Sequence, residues 1–563
     1  MKPVHMKHTG PISAVATYRS YIATSGYDNR VILWDALTKK PLAQGTHDHL
    51  VNHCVFSSDG KLLASASSDY SVRIWQVPSM RLQSILTEHE DDVDMAVFSP
   101  DDTLIATCAL DKAVRVFDIS GQCVKTFLGH TGNIISLLWS EDGRRLISSS
   151  VDGSVREWDV DGGVEISCHH LEVRTDTIVI DSLGRIIAGD DFGRIVIISE
   201  AGNSYHQAHQ AGIKKIVYCK KYQLIASLSY DQELIFWQID STGILVKTQR
   251  THIPPLIWAR AAALLDGDKL VLGTFGTTYA LYDMQKKSWD LSGVEAGDGI
   301  NAISYHQGSI YTVGDSGVVF KDGQILKNLQ SLCNFLVMVG ANLYAGGQLG
   351  QLFDVKSGEI LYKHHSPLNC GVVFYREKQP YIAIGSYTGE MLIFSILADG
   401  STEFIHEIKI YDNAIKGISV NEKYLFSVCA STEIAWHSFD FKLISKITHA
   451  HEKIINACCR VGTNRFATVS RDKQLKIWFD GVEESYLSPH LNSIKCLCAN
   501  DDGSFLLSGS YGGTIAGFDL HTKNWTIFQR PTAHGISSIT YHYEQKCFIA
   551  SSYNGEIYPV SLM

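Results

Sequence analysis

The chain has 563 residues, 45% hydrophobic and 10% aromatic, with only 12 prolines and a formal net charge of −10. That length exceeds what one hydrophobic core serves, so two or more domains are expected, with no long disordered linker between them. The acidic balance excludes a general nucleic-acid binder, which needs a basic stripe.

No apolar run approaches a membrane span, and the opening MKPVHMKHTG has no apolar signal-peptide stretch. The 13 cysteines fall at irregular spacing, which suits buried thiols in a reducing compartment. The cytoplasm is the expected location, and the nucleus is compatible with the same composition.

Taken in chain order, one pattern recurs roughly every 41 residues. The clearest copies are SGYDNRVILWD (25–35), SSDYSVRIWQ (67–76), SVDGSVREWDV (150–160), SYDQELIFWQ (229–238) and SRDKQLKIWF (470–479). Their turn aspartates are Asp28, Asp69, Asp152, Asp231 and Asp472, and a sixth copy has Asp111 with Phe117 in the Trp position. In the same register, weaker copies centre on Phe192, Gly276, Asp315, Gln348, Thr388, Ala430, Gly512 and Asn554. The strands between are short, β-branched and alternating, separated by Gly/Asp/Asn turns.

Fixed offsets surround each strong turn. His47, His89, His130 and His209 lie 22 residues before Asp69, Asp111, Asp152 and Asp231. A hydroxyl stands four residues before the Asp (Thr24, Ser65, Thr107, Ser148, Ser227, Thr468), and an aromatic six after it (Trp34, Trp75, Phe117, Trp158, Trp237, Trp478). His451 takes the histidine place before Asp472. An imidazole can join the carboxylate of one turn to a hydroxyl and an indole N–H, each bond netting about 1 kcal/mol. Copied from unit to unit, such a set reads as a structural staple and not as a Ser-His-Asp catalytic triad.

These residues at these offsets resemble the WD-repeat family, whose blades are four-stranded antiparallel sheets. The resemblance implies an all-β chain of two seven-bladed propellers. It also suggests how the rings close. The last unit stops after its third strand, at 555–563, while residues 2–7 supply a spare strand before His8. Pairing the two would remove two open edges. On that reading residues 1–252 and 532–563 form the first propeller and 253–531 the second, similar in architecture to the tandem propellers of actin-interacting protein 1. The alternative is a plain split near 290 with the spare strand closing on unit 7, against which unit 7 already has an outer strand of its own at 286–291.

Two surface features are candidate protein-binding sites. The position before the turn Asp lies at a blade tip in the WD-repeat family, and here holds Tyr27, Tyr230, Tyr387, Tyr511 and Tyr553. Under the crossed closure Tyr230, Tyr553 and Tyr27 would form one arc, and tyrosine is favoured at interface hot spots. The second feature is the acidic run Glu88, Glu90, Asp91, Asp92 and Asp94, which could steer basic partners or simply be a solvated loop.

No metal or cofactor is expected: His47, His49 and His53, Cys458–Cys459 and Cys496/Cys498 lack paired CxxC spacing. The pairs His169–His170 and His364–His365 stand where staple histidines of units 5 and 10 belong. No GxGxxG, P-loop, HExxH or GxSxG motif is present. The expected role is a non-enzymatic scaffold for protein partners in a larger assembly. The competing readings are a substrate-recognition adaptor for a modifying enzyme and an enzyme with its site in a propeller channel.

Overall fold

The computed structural model describes residues 6–199, 202–240, 244–479 and 482–562. They form fourteen antiparallel sheets. Thirteen have four strands, and the last (Ile536–His542, Cys547–Ser552, Ile557–Ser561) has three. Each sheet, or blade, is a simple meander built from one sequence unit.

The burial pattern explains the composition of the strands. In blade 2 the second strand, Leu62–Ser67, is buried along nearly its whole length, while the fourth, Arg81–Leu86, is largely exposed. A middle strand covered on both faces by neighbouring blades has no solvent side, so it reads as a continuous small-apolar run, LLASAS, instead of an alternation.

The tips follow a strict backbone rule. Asn29, Tyr70, Lys112, Gln232 and Lys473, each directly after a turn Asp, have φ between 64° and 69°. The Asp carboxylate holds the strained turn by accepting the N–H two residues on, as from Ser71 to Asp69 at 3.0 Å. In blades 10 and 13, where the Asp is missing, glycine takes the left-handed position, at Gly389 and Gly513.

The chain divides into two units, 1–297 and 298–563. In the first, the first strands of blades 1 to 7 pack in sequence and the seventh, Ile257–Leu265, packs back on the first, Ile12–Tyr18. Ile12, Ile22 and Trp34 share a core with Val271, Tyr279 and Leu281 across this junction. Lys39 also forms a 2.9 Å ion pair with Asp290. In the second unit the strand Ile536–His542 packs back on Ile300–His306, with Tyr305 stacked on His542 at 3.9 Å. Each unit is a closed seven-bladed propeller.

This corrects the crossed closure and its boundaries at 252 and 531. Blade 7 has its own outer strand, Ser288–Asp290, so it closes the first ring without help from the chain's end. Most of the spare strand at 2–7 lies outside the described residues; Lys7 and His8 sit beside blades 1 and 7, through Arg30 Nη1 donating to Lys7 O at 2.9 Å and His8 N–H donating to Thr277 O at 3.0 Å. The likeness to actin-interacting protein 1 rested on the crossed path and goes with it.

Closure at 297 has a direct consequence. Chains 1–297 and 298–563 expressed separately should each unfold cooperatively in urea, followed by circular dichroism. A chain ending at 252 lacks the seventh blade and should show no cooperative transition.

Candidate functional site

The staples come first, because they set the tips. In blade 2 the Trp75 indole N–H donates to Ser65 Oγ at 2.8 Å, Ser65 lies 2.7 Å from His47 Nε2, and His47 Nδ1 lies 2.9 Å from Asp69. The same chain runs through Thr24, His8 and Asp28 in blade 1 and through Ser148, His130 and Asp152 with Trp158 in blade 4. It recurs as Ser227, His209 and Asp231 with Trp237 in blade 6, and as Thr468, His451 and Asp472 with Trp478 in blade 12. Blade 3 keeps His89, Thr107 and Asp111, and Arg115 takes the Asp carboxylate at 2.6 Å. Burial raises the Asp69 carboxyl, but His47, the Ser71 hydroxyl and the Asp48 N–H more than offset this and hold it below the usual range. Ser65 and its counterparts are fully buried and bonded on two sides, so none is a nucleophile.

Two further staples lack the turn Asp, and the first keeps the repeat spacing, with His490 22 residues before Gly512 and Ser508 four before it. His490 in blade 13 lies 2.9 Å from Ser508 and uses Thr514 Oγ1, 2.6 Å away, in place of an Asp. In blade 11 the Tyr411 hydroxyl takes the histidine's part, 2.9 Å from Ser427 Oγ. His169 and His170, by contrast, lie in the outer strand Val164–His170 and are not staples; blade 5 uses Arg194 donating to Asp190 at 2.7 Å.

His364, His365 and Glu390 bring ligand atoms within 4.8 Å of one another. Glu390, however, already accepts from Ser386, Thr388 and Lys409, and His364 Nδ1 accepts the Ser366 N–H at 3.2 Å. The group reads as blade 10's own substitute staple, with the Glu390 carboxylate standing in for the missing Asp.

The tip position is defined by one backbone bond, in which the residue before the turn donates its N–H to the carbonyl just ahead of its blade's first strand. Tyr27, Tyr230, Tyr387, Tyr511 and Tyr553 all make it. So do Asp315, Gln348 and Ala430, which are therefore tip residues. Counting spacers slips by one residue in blades 8, 9 and 11, where loops differ in length, and Ser316, Leu349 and Ser431 occupy the turn-Asp position.

Beside each tip lies a second position, the bulged second residue of the first strand. Asn52 there donates to Val93 O of the next blade at 3.0 Å. Asn301, Asn334, Asn369 and Asn456 donate to Cys333, Leu368, Ile415 and Ile494 carbonyls at 3.2, 2.9, 2.7 and 2.6 Å. These amides latch blade to blade in a collar around each ring axis. The repeat spacing does not mark them, although a lone Asn or Lys after an apolar residue in the first strands of blades 2, 6 and 8 to 13 is a visible signal.

In the first ring the tips form an aromatic and cationic arc across blades 6, 7 and 1. Tyr27 meets Trp258 edge-on at 5.2 Å, and Trp258 packs on Phe275 at 5.4 Å. The exposed Arg260 guanidinium lies 5.9 Å from the Trp258 ring, and Lys214 lies 5.2 Å from the Tyr230 ring. Blade 7, not blade 14, thus stands between Tyr230 and Tyr27. Tyr553 belongs to the second ring, where it stacks on Tyr511 at 6.5 Å. The three-tyrosine arc expected from sequence is replaced by two separate sets.

The acidic run does not form one patch. Glu88 and Glu90 are exposed, but Asp92 is buried and accepts from Ser68 Oγ at 2.8 Å. Asp94 occupies the collar position of blade 3, its carboxyl pushed up to about 7 by burial, with Arg260 pulling the other way.

Fold and site together define a tandem seven-bladed propeller with stapled blades and a polar collar at each ring mouth. The chain contains WD repeats: the sequence model of the WD domain, G-beta repeat matches residues 1–35, 39–76, 80–118, 121–159 and 481–519. It is 29% identical over 269 residues to periodic tryptophan protein 2 of Arabidopsis thaliana, covering 46% of this chain and 24% of that protein. It is 26% identical over 176 residues to the target of rapamycin complex subunit wat1 of Schizosaccharomyces pombe, covering 31% of this chain and 43% of that one. With a chromatin assembly factor 1 subunit of Gallus gallus it shares 27% identity over 177 residues, 30% of this chain and 28% of that one. The chain therefore spans less than half the length of each of these relatives. No helix among the described residues is long and apolar enough to cross a membrane.

The hydrogen bonding makes two of these residues testable. Ser65→Ala removes the acceptor of Trp75 and the partner of His47 together and should cost about 1–3 kcal/mol in chemical denaturation of the first ring. Asp315 is buried with Oδ1 bonded to Asn301 at 2.9 Å, and burial pushes its carboxyl up to about 7. Because that lies above the unfolded value of 3.8, its favourable contribution is complete below about pH 4 and is lost as pH rises through 7. Asp315→Asn should therefore raise the thermal midpoint relative to wild type at pH 8, with the gap closing by pH 4.

Proposed function

We propose that this protein is a non-enzymatic scaffold that binds protein partners through the ring mouths, within a multiprotein assembly. The observation that carries the reading is the first-ring arc. Tyr27, Tyr230 and the exposed Arg260, with Trp258 packed between them and the ring, come from three adjacent blades held by a closed ring. Aromatic and arginine side chains on a rigid frame bury large area with little entropy lost on binding.

Two further observations support it. The His–Asp–hydroxyl sets are buried staples repeated between blades, which is not how a single catalytic centre is built. Two relatives are by name a component of a complex and a component of an assembly factor. A substrate-recognition adaptor would use the same surfaces and differ only in its partners. Residence in the cytoplasm suits the 13 unpaired cysteines, and a chromatin-related relative makes the nucleus an equal setting.

The test is affinity capture from native extract, read by mass spectrometry, with wild type beside a folded Tyr27→Ala/Tyr230→Ala/Arg260→Ala variant. The expected outcome is a stoichiometric partner held by wild type and lost, or reduced at least tenfold, in the variant. A partner held equally by both would move the binding surface away from this arc. Turnover of a small molecule by the purified chain would overturn the scaffold reading.

A further inference from the structure

The two collars differ in how they handle charge. In the first ring the collar residue Lys214 is neutralised: Nζ donates to Asp176 Oδ2 at 2.6 Å and to Asp191 Oδ1 at 2.5 Å. Arg174 lies 2.5 Å from Asp191 as well, so the cations of blades 5 and 6 have carboxylates in hand. In the second ring two collar positions that could hold a latching Asn hold Lys416 and Lys495 instead. Neither makes an ion pair with a carboxylate among the described residues.

The side chains around them are aromatic. Lys416 Nζ lies 5.9 Å from the Tyr387 ring centre and Lys495 Nζ 6.0 Å from that of Tyr511, which stacks on Tyr553. Asp315, at the tip of blade 8, is engaged by Asn301 and pushed toward its neutral form. Burial, followed by repulsion from Lys495, pulls the Lys416 ammonium down to about 7. Two lysines thus stand on bulges of one ring where an Asn would have latched the next blade, an arrangement that an incoming anion would stabilise.

We propose that the mouth of the second ring is an oxyanion site, in which Lys416 and Lys495 together grip a carboxylate or phosphate monoester presented by an extended acidic segment of a partner protein. Tyr387, Tyr511 and Tyr553 offer ring faces to the residues flanking that anion. A peptide fits this chemistry better than a free ion, because the aromatic surface beside the lysines would otherwise stay uncovered. The proposal shares with the scaffold reading the premise that ring mouths bind protein segments. It concerns a different ring and different residues, so either can fail alone.

The experiment uses the full chain and three pools of peptides with randomised flanks and a fixed central Glu, phosphoserine or Gln. Wild type should retain the Glu or the phosphoserine pool at least tenfold over the Gln pool, and which of the two prevails identifies the source of the anion. Lys416→Gln/Lys495→Gln should lose that preference while melting at or above the wild-type temperature. The equal-charge control Lys40→Gln/Lys112→Gln, two exposed lysines of the first ring, should keep it. Equal retention of all three pools, no retention of any, or a preference surviving in the double variant would overturn the site, whatever the capture experiment on the first ring returns.

Discussion

Closure is the constraint on which the rest of this molecule depends. A four-stranded meander has two apolar faces and cannot cover either by itself. Thirteen neighbours in a row would still leave the end blades bare; a ring leaves none. The junctions where each ring shuts, Trp34 on Tyr279 and Tyr305 on His542, are therefore not incidental contacts. Each covers a face that in an open array would demand a partner chain.

The staples are secondary to closure. Blades 1 to 4, 6 and 12 have the His–hydroxyl–Asp chain, while most blades of the second ring lack it, yet both rings shut. What the staple adds is local: it holds a strained left-handed residue next to the turn Asp and ties the loop above it to the sheet. Where the Asp is gone, other sets serve: blade 10 has Gly389 at the turn and Glu390 bonded to Ser386, and blade 11, with no glycine at its turn, uses Tyr411 with Ser427. Interchangeable chemistry at one geometric position is what a structural requirement looks like, since the requirement is only that buried polar atoms be paired.

The number and type of blades were legible because the staple repeats as a spacing, and a spacing survives even when single residues change. The path of the chain was not. The missing fourth strand of the last unit and the spare residues 2–7 suggested a crossover, but the decisive fact was the short strand Ser288–Asp290. That outer strand is visible in the sequence at 286–291, but what the seventh blade packs against is not: the packing of Ile257–Leu265 on Ile12–Tyr18 leaves no local pattern. The one-residue slips at Asp315, Gln348 and Ala430 have the same origin, because loop length varies where no staple fixes it. The tyrosine tips were readable individually, but their grouping depended on which blades adjoin. The collar was hidden for another reason: its bulge turns a residue out of the strand's alternation, so Asn334 or Lys416 looks like an ordinary polar position in an apolar strand.

That collar also explains how similar rings can differ in what they offer. An Asn at the bulge satisfies the next blade's carbonyl and presents little to solvent, so a full ring of amides would be chemically quiet. Exchanging an amide for a charge opens the latch and exposes a strong group at the mouth, and the ring tolerates this because sheet packing, not the latch, keeps it shut. In the first ring the exchanges come in opposite signs, Asp176 against Lys214, and the exposed Arg260 works beside aromatic faces. In the second they have one sign. The same scaffold position can thus differ blade by blade without touching the core, and the difference in binding chemistry between the two mouths reduces to which bulges carry a charge and which an asparagine.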